Sequence, residues 1–444
     1  MENGLPRVEV HREPDGTLFV AHHRPGVPLV YVELCFPGGR AAEPAGRPGL
    51  ADLAADLANE GPEGMPPTAW RRATEDLAAE IGCEAGEDRW RVNCRCLTGD
   101  LEAAGGLFGR LLAGPSMPRG EWKRLVRARR AGAREDWAQP AGVINYLAAV
   151  QNAGLAHPRS RPAWEAAYGR CAFDAAAALG RNTLRRGPEL CAVIGGDITP
   201  DRGFDLLRGL IAALPPGGAG EPAVAPARPS AAAVWLADDP RVDQAFFALG
   251  RPGVRAGDPD RVALRLANFL IGGGGFESRL MDAVRKEAGG TYGINSSLPE
   301  SASEAPFMIR SHTRAPRFGE MLGLVRGALD RVVREGFTPV ELDTARRNLH
   351  GGLPLALREP RAVLNFALAG IRAGLAPGAQ ETDWRAYLTT PLEAVNAAAR
   401  RIIGDGQFRL AVIAPAKAVQ DQLAGWGRVE VFKARAMPDR WPAV

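Results

Sequence analysis

The chain lacks any run of about 18 apolar residues, so it offers no candidate for a membrane-crossing helix. The start, MENGLPRVEVHREPDG, has no basic segment followed by an apolar core. No secretory leader is therefore expected, and the expected location is cytoplasmic. An excess of one charge is also missing. The formal net charge is only +4, and Lys and Arg are interleaved with Asp and Glu, which leaves no nucleic-acid footprint. Short Arg clusters such as RARR, 127–130, read as solvated helix faces. Cysteine is scarce and confined to the first half: Cys35, Cys83, Cys94, Cys96, Cys171 and Cys191. Cys94-x-Cys96 has strand spacing but no second pair, which excludes a zinc ribbon. In a chain of this size, free buried thiols are expected rather than a disulfide framework.

What is present suits a soluble globular protein, with 46% hydrophobic and 24% charged residues. A chain of 444 residues exceeds what one hydrophobic core sustains, so at least two cores are expected. The stretch PPGGAGEPAVAPARPS, Pro215 to Ser230, has no periodicity and reads as a linker. The halves on either side match each other. LVYVELCFPGG and DQAFFALGRPG are strand-like, and each precedes a helix-like segment, GLADLAADLANEG or RVALRLANFLIGGGG. Farther on, Pro140 falls opposite Pro360 and one AGLA opposite another. Each half closes on a strand and a helix. The prediction is an α+β protein of two homologous domains, each a mainly antiparallel sheet with helices packed on one face. The domains are 1–214 and 233–444, joined by 215–232.

The second half contains ANFLIGGGGFESRLMDAVRKEAGGTYG, in which Arg285 and Tyr292 stand seven residues apart beyond the glycines Gly272 to Gly275. A phosphate cradle is disfavoured there, because the glycines follow a helix-like run and lack Gly-Lys-Ser/Thr. A helix-terminating turn reads better. This stretch, with the duplication, resembles the pitrilysin family of zinc peptidases, in its short two-domain form. Active members carry Gly-Leu-Ala-His-x-x-Glu-His where this chain reads GLADLAAD, placing Asp52, Ala55 and Asp56 at the two ligand positions and the base. In that inverted motif the two His hold zinc and the Glu polarises water. The third ligand's counterpart is expected near Ala131 and Gly132, where no carboxylate stands. None of the six histidines (His11, His22, His23, His157, His312, His350) is spaced as a second such motif. From the residues alone, Asp52 and Asp56 read as a solvated helix face, with a weak Mg²⁺ or Ca²⁺ site as the alternative.

The resemblance implies that Arg285 and Tyr292 donate hydrogen bonds to a scissile carbonyl, and that Gly272, Gly273, Gly274 and Gly275 lie against substrate. Sliding the repeats puts Ala78 opposite Arg285 and Ala85 opposite Tyr292, so the first half lacks the pair. The implied role is the zinc-free subunit of a heterodimeric peptidase. It would hold no cofactor itself, help to enclose an extended peptide, and complete the site of a zinc-bearing homologous partner. Precursor processing, including maturation of a redox cofactor, is one such task. The alternatives are a structural scaffold like the core subunits of a respiratory complex, or a peptide holder without hydrolysis.

Overall fold

In a computed structural model, described residues cover 4–434 apart from 45, 155–156, 158–159, 161–163, 219, 221–226, 256, 289–292 and 300–304. The strands are β1 (Glu9–Arg12), β2 (Leu18–His23), β3 (Leu29–Pro37), β4 (Glu80–Ala85), β5 (Arg89–Leu97), β6 (Cys191–Gly196), β7 (Val234–Asp238), β8 (Gln244–Val254), β9 (Ile294–Ser297), β10 (Ala305–Arg314), β11 (Arg409–Ala414) and β12 (Val429–Lys433). The helices are α1 (Leu50–Asn59), α2 (Pro67–Asp76), α3 (Leu101–Ala113), α4 (Trp122–Ala138), α5 (Pro140–Ala153), α6 (Glu165–Arg170), α7 (Phe173–Thr183), α8 (Pro200–Ala212), α9 (Arg261–Asn268), α10 (Arg279–Ala288), α11 (Phe318–Glu335), α12 (Pro339–Ala356), α13 (Pro360–Arg372), α14 (Ala379–Ala386), α15 (Leu392–Ile403) and α16 (Ala416–Val419).

Two six-stranded sheets result, in the orders β1-β2-β6-β3-β5-β4 and β12-β7-β11-β8-β10-β9. Their central strands correspond one to one, β2 with β7, β6 with β11, β3 with β8, β5 with β10 and β4 with β9. The duplicated α+β architecture is thus as expected. Antiparallel pairs predominate, with β2–β6, β7–β11 and β7–β12 the parallel ones. The outer strands differ. β1 arrives before β2 as an antiparallel hairpin arm, whereas β12 arrives after β11 and runs parallel to β7.

Alternation along the strands decides what each sheet face meets. In the first sheet Val30, Val32, Leu34 and Phe36 share one face with Phe19, Trp90, Val92 and Ile194, and bury against α1, α3, α7 and α8. Every one of the six cysteines is a buried free thiol.

The compact units do not follow the linear halves. The first comprises 1–136, 156–226 and 357–368, and the second 137–155, 227–356 and 369–444. Each half of the sequence therefore contributes a helix to the other's unit. In the second unit, α5 presents Val143, Ile144, Leu147 and Val150 to Trp235, Ala248, Met308 and Ile413. Its Gln151 is fully buried, and the side-chain amide donates to the carbonyls of Ala233 at 3.4 Å and Leu410 at 3.3 Å. The start of α13 does the equivalent in the first unit. A side chain added at Gly195 of β6 would meet Leu364 at 3.0 Å and Pro360 at 3.3 Å. The guanidinium of Arg361 lies 5.4 Å from the centre of the Tyr31 ring. Pro140 and Pro360, which matched in sequence, open these two helices, where a missing N–H costs nothing.

Candidate functional site

The segment that would carry a metal motif is α1. Ala and Leu dominate it, giving high helix propensity, and its apolar residues form a broad face that leaves Asp52, Asp56 and Asn59, at i, i+4 and i+7, on the remaining side. So broad an apolar face calls for burial, and most of α1 is buried, Asp52 and Ala55 included. Its N-terminus is fixed by Glu43, whose carboxylate accepts from the backbone N–H groups of Gly49 at 3.0 Å and Ala51 at 2.9 Å. Those donors have no partner inside the helix, so a carboxylate here satisfies them and complements the helix dipole.

Gly49 has φ of +90°, and a Cβ there would lie 2.6 Å from the Tyr168 ring. The glycine therefore lets Tyr168 of α6 lie over the start of α1. From that position the Tyr168 hydroxyl donates to Asp52 Oδ2 at 3.0 Å. Arg40 approaches the other Asp52 oxygen at 4.0 Å. One turn on, Asp56 is held in a fork by Arg129 of α4. Nε donates to Oδ2 and a terminal nitrogen to Oδ1, both at 2.7 Å. The hydrogen bond to Asp56 raises the Arg129 pKa further, so this cation is permanent.

These contacts correct three expectations. Asp52 and Asp56 are not a solvated face: the first is buried and both are bonded to named partners. The residue that α4 turns toward Asp56 is Arg129, while Ala131 and Gly132 are exposed. Within RARR, Arg127 and Arg130 are exposed but Arg129 is not part of a solvated face. Sequence reasoning missed Arg129, Tyr168, Arg40 and Glu43. Only Arg129 had a local signal, its spacing of four from Leu125 and Ala133, the buried residues of α4.

A zinc ion does not fit this donor set. The two carboxylates are engaged, no histidine stands at either ligand position, and Ala55 at the base position has nothing to titrate. Among the described residues no group of three or more His, Cys, Asp or Glu could hold a metal. The arrangement is a neutralised cluster in which a guanidinium supplies the positive charge. It cannot generate a metal-bound hydroxide.

In the second unit, α9 ends in a single π turn, Phe269–Gly273, that runs into the glycines. Gly272 packs against β9, since a Cβ there would lie 2.7 Å from the Ser296 nitrogen. Gly273 and Gly274 are similarly close to Asn268 and Phe269, and Gly275 has φ of +58° facing open space. Close backbone approach thus accounts for the run, with the exposed Phe276 just beyond it. Arg285 is exposed on α10, and Tyr292 lies outside the described residues.

The duplicated six-stranded α+β fold is the one that the resemblance implied, and its motif helix carries bonded aspartates at the positions of the usual metal ligands. Residues 182–349 match the family model described as the peptidase M16 inactive domain. That match spans less than half of the chain, and it supports a relationship to the pitrilysin-type, or M16, peptidases, whose usual metal ligands are absent from α1. An uncharacterized zinc protease of Streptomyces coelicolor is 30% identical over 178 residues, 40% of this chain and 38% of that protein. The match therefore spans less than two fifths of that relative's length. The non-peptidase homolog YmxG of Helicobacter pylori is 23% identical over 363 residues, 80% of this chain and 81% of the relative. Among solved structures, a peptidase M16 inactive domain from Pseudomonas fluorescens aligns at a TM-score of 0.83 and 25% identity, covering 92% of this chain and 98% of the other. A protease from Helicobacter pylori aligns at a TM-score of 0.81 and 14% identity, covering 93% and 100%, a likeness of fold alone.

Proposed function

We propose that this chain is the zinc-free subunit of a two-subunit peptidase. A homologous partner would carry the metal, and this chain would help to enclose an extended peptide. The observation that carries the reading is the Arg129–Asp56 fork beside the Asp52–Tyr168 bond, which occupies both ligand positions. Zinc-dependent hydrolysis would then need a metal held by another chain. Arg285 and Tyr292 are then the groups that would face the partner's zinc. A guanidinium and a phenol can donate to the carbonyl oxygen as it gains charge, and such a donor lowers the barrier by about 3 kcal/mol.

An extended peptide binds well by adding to a sheet edge. β4 ends the first sheet, and at Cys83 its outward main chain is already bonded to Asn59, by N–H to Oδ1 at 2.6 Å and by C=O from Nδ2 at 2.9 Å. Ile81 and Ala85, two residues either side, turn their main-chain groups the same way. An added strand would register on those two residues once the Asn59 amide between them is displaced.

The test is to purify the chain from its own cells, identify what accompanies it, and assay peptide cleavage with each subunit alone and with both. The expected result is a homologue with His-x-x-Glu-His, about one zinc per pair, and cleavage that needs both chains. Arg285→Ala and Tyr292→Phe should each lower kcat about 10²-fold without dissociating the pair. A partner fully active alone, or cleavage indifferent to both substitutions, would sink this reading. Arrival alone with retained peptides would favour the peptide holder, and stable recovery in a membrane complex the scaffold.

A further inference from the structure

Within the first unit, a groove of about 430 Å³ opens between α4 and α6. Lys123, Arg127, Arg130 and Arg134 line one wall, and Trp122 and Tyr168 contribute aromatic surface. The four cations recur three and four residues apart, which puts them on one side of α4. At 1.5 Å per residue they extend over roughly 16 Å. One end is neutralised: Glu165 accepts two bonds from Arg134, at 2.6 and 3.0 Å, and one from Arg130 at 3.1 Å. At the other end, Lys123 and Arg127 are exposed and have no ion-pair partner among the described residues.

We propose that this groove binds an extended acidic peptide segment bearing carboxylates at alternate positions, one for Lys123 and one for Arg127. The spacing supports that occupant. Side chains two apart on an extended chain lie on the same side, about 6.6 Å from each other. Lys123 and Arg127 stand one helical turn apart, about 6 Å along the axis. Arg127 can take a carboxylate through two parallel bonds, while Lys123 acts as a point charge. Val126 is half-buried beside them and gives the peptide backbone an apolar floor. A nucleic-acid backbone fits less well. It needs a longer track of open cations, and Glu165 already closes half of this one. The inference goes beyond the proposed function and requires no partner subunit, so the two fail separately.

The test uses the full chain and a fluorescein-labelled peptide, Ala-Glu-Ala-Glu-Ala, with its Gln counterpart as control, read by fluorescence anisotropy. The Glu peptide is expected to bind about tenfold tighter than the Gln peptide, and more weakly as salt rises. Lys123→Gln with Arg127→Gln should remove that tenfold preference. Both positions are exposed, so the thermal midpoint should hold. Arg72→Gln, on the exposed face of α2, should leave binding as it was. Equal binding of the Gln peptide, undiminished binding by the double variant, or stronger competition from a single-stranded oligonucleotide would each overturn the proposal.

Discussion

Arg129 and Asp56 meet through two bonds of 2.7 Å at the position where an active relative would place its second motif histidine. The guanidinium thereby becomes the cation of the site, and it stays protonated at any pH at which the protein is folded. The expected consequence is indifference to metal. After dialysis against zinc, the metal measured by plasma emission should remain far below one per chain. The unfolding midpoint should not move with a chelator. A chelator-sensitive midpoint would mean that other donors hold an ion.

The fork also makes a stability prediction. Arg129→Lys keeps the charge but cannot form two parallel bonds, and should lower stability by about 1–2 kcal/mol in urea unfolding. Asp56→Leu combined with Arg129→Met removes both charges together and should cost less than either single change. If the double variant instead costs the sum of the two, the fork contributes no coupling.

Gly49 and Tyr168 allow an ordering test. Tyr168→Phe deletes one hydrogen bond to Asp52 and should cost about 1 kcal/mol. Gly49→Ala must adopt φ of +90° and also displace the ring at 2.6 Å, so it should cost more than the loss of the hydroxyl. Urea unfolding of the two variants side by side reads the order. A smaller effect at Gly49 would show that the ring moves freely.

The duplication was legible because hydrophobic periodicity and turn residues are local properties, and both repeat across the linker. The loss of the metal ligands was legible for the same reason, since it is a matter of residue type at Asp52, Ala55 and Asp56. What took their place was not. Arg129 is 73 positions from Asp56 and Tyr168 is 116 from Asp52, and spacing carries no information across such distances. The apolar side of α5 likewise announces that it will be covered, without saying by which sheet. Pro140 and Pro360 match across the repeat, yet each opens a helix that joins the unit built mainly by the other half.

That exchange can be tested by hydrogen exchange. Leu147 is fully buried in α5, within the cluster that includes Trp235 and Ile413 of the second sheet. Leu147→Ala should cost about 2–5 kcal/mol and weaken protection in β7, β8 and β11, although residue 147 belongs to the first half of the sequence. Leu364→Ala is the counterpart and should loosen β6 and β3. If each variant loosened the sheet of its own half instead, the assignment of the two helices would be wrong.

His22 sets an expectation for pH. Burial in β2 lowers its pKa from the ordinary 6.5, and the charges of Arg24 and His23 act in the same direction, against a bond of Nδ1 to the Arg7 carbonyl at 2.8 Å. Below 6.5 the unfolded chain takes up a proton that the folded chain still refuses. The contribution of His22 is therefore complete above about 6.5, declines as pH falls through that value, and levels off below the folded pKa. His22→Asn keeps a donor for the Arg7 carbonyl and removes the titration. Urea midpoints between about pH 7 and about pH 5 should fall less steeply for the variant than for the parent chain. Parallel slopes would mean that His22 is protonated as readily in the folded chain as in the unfolded one.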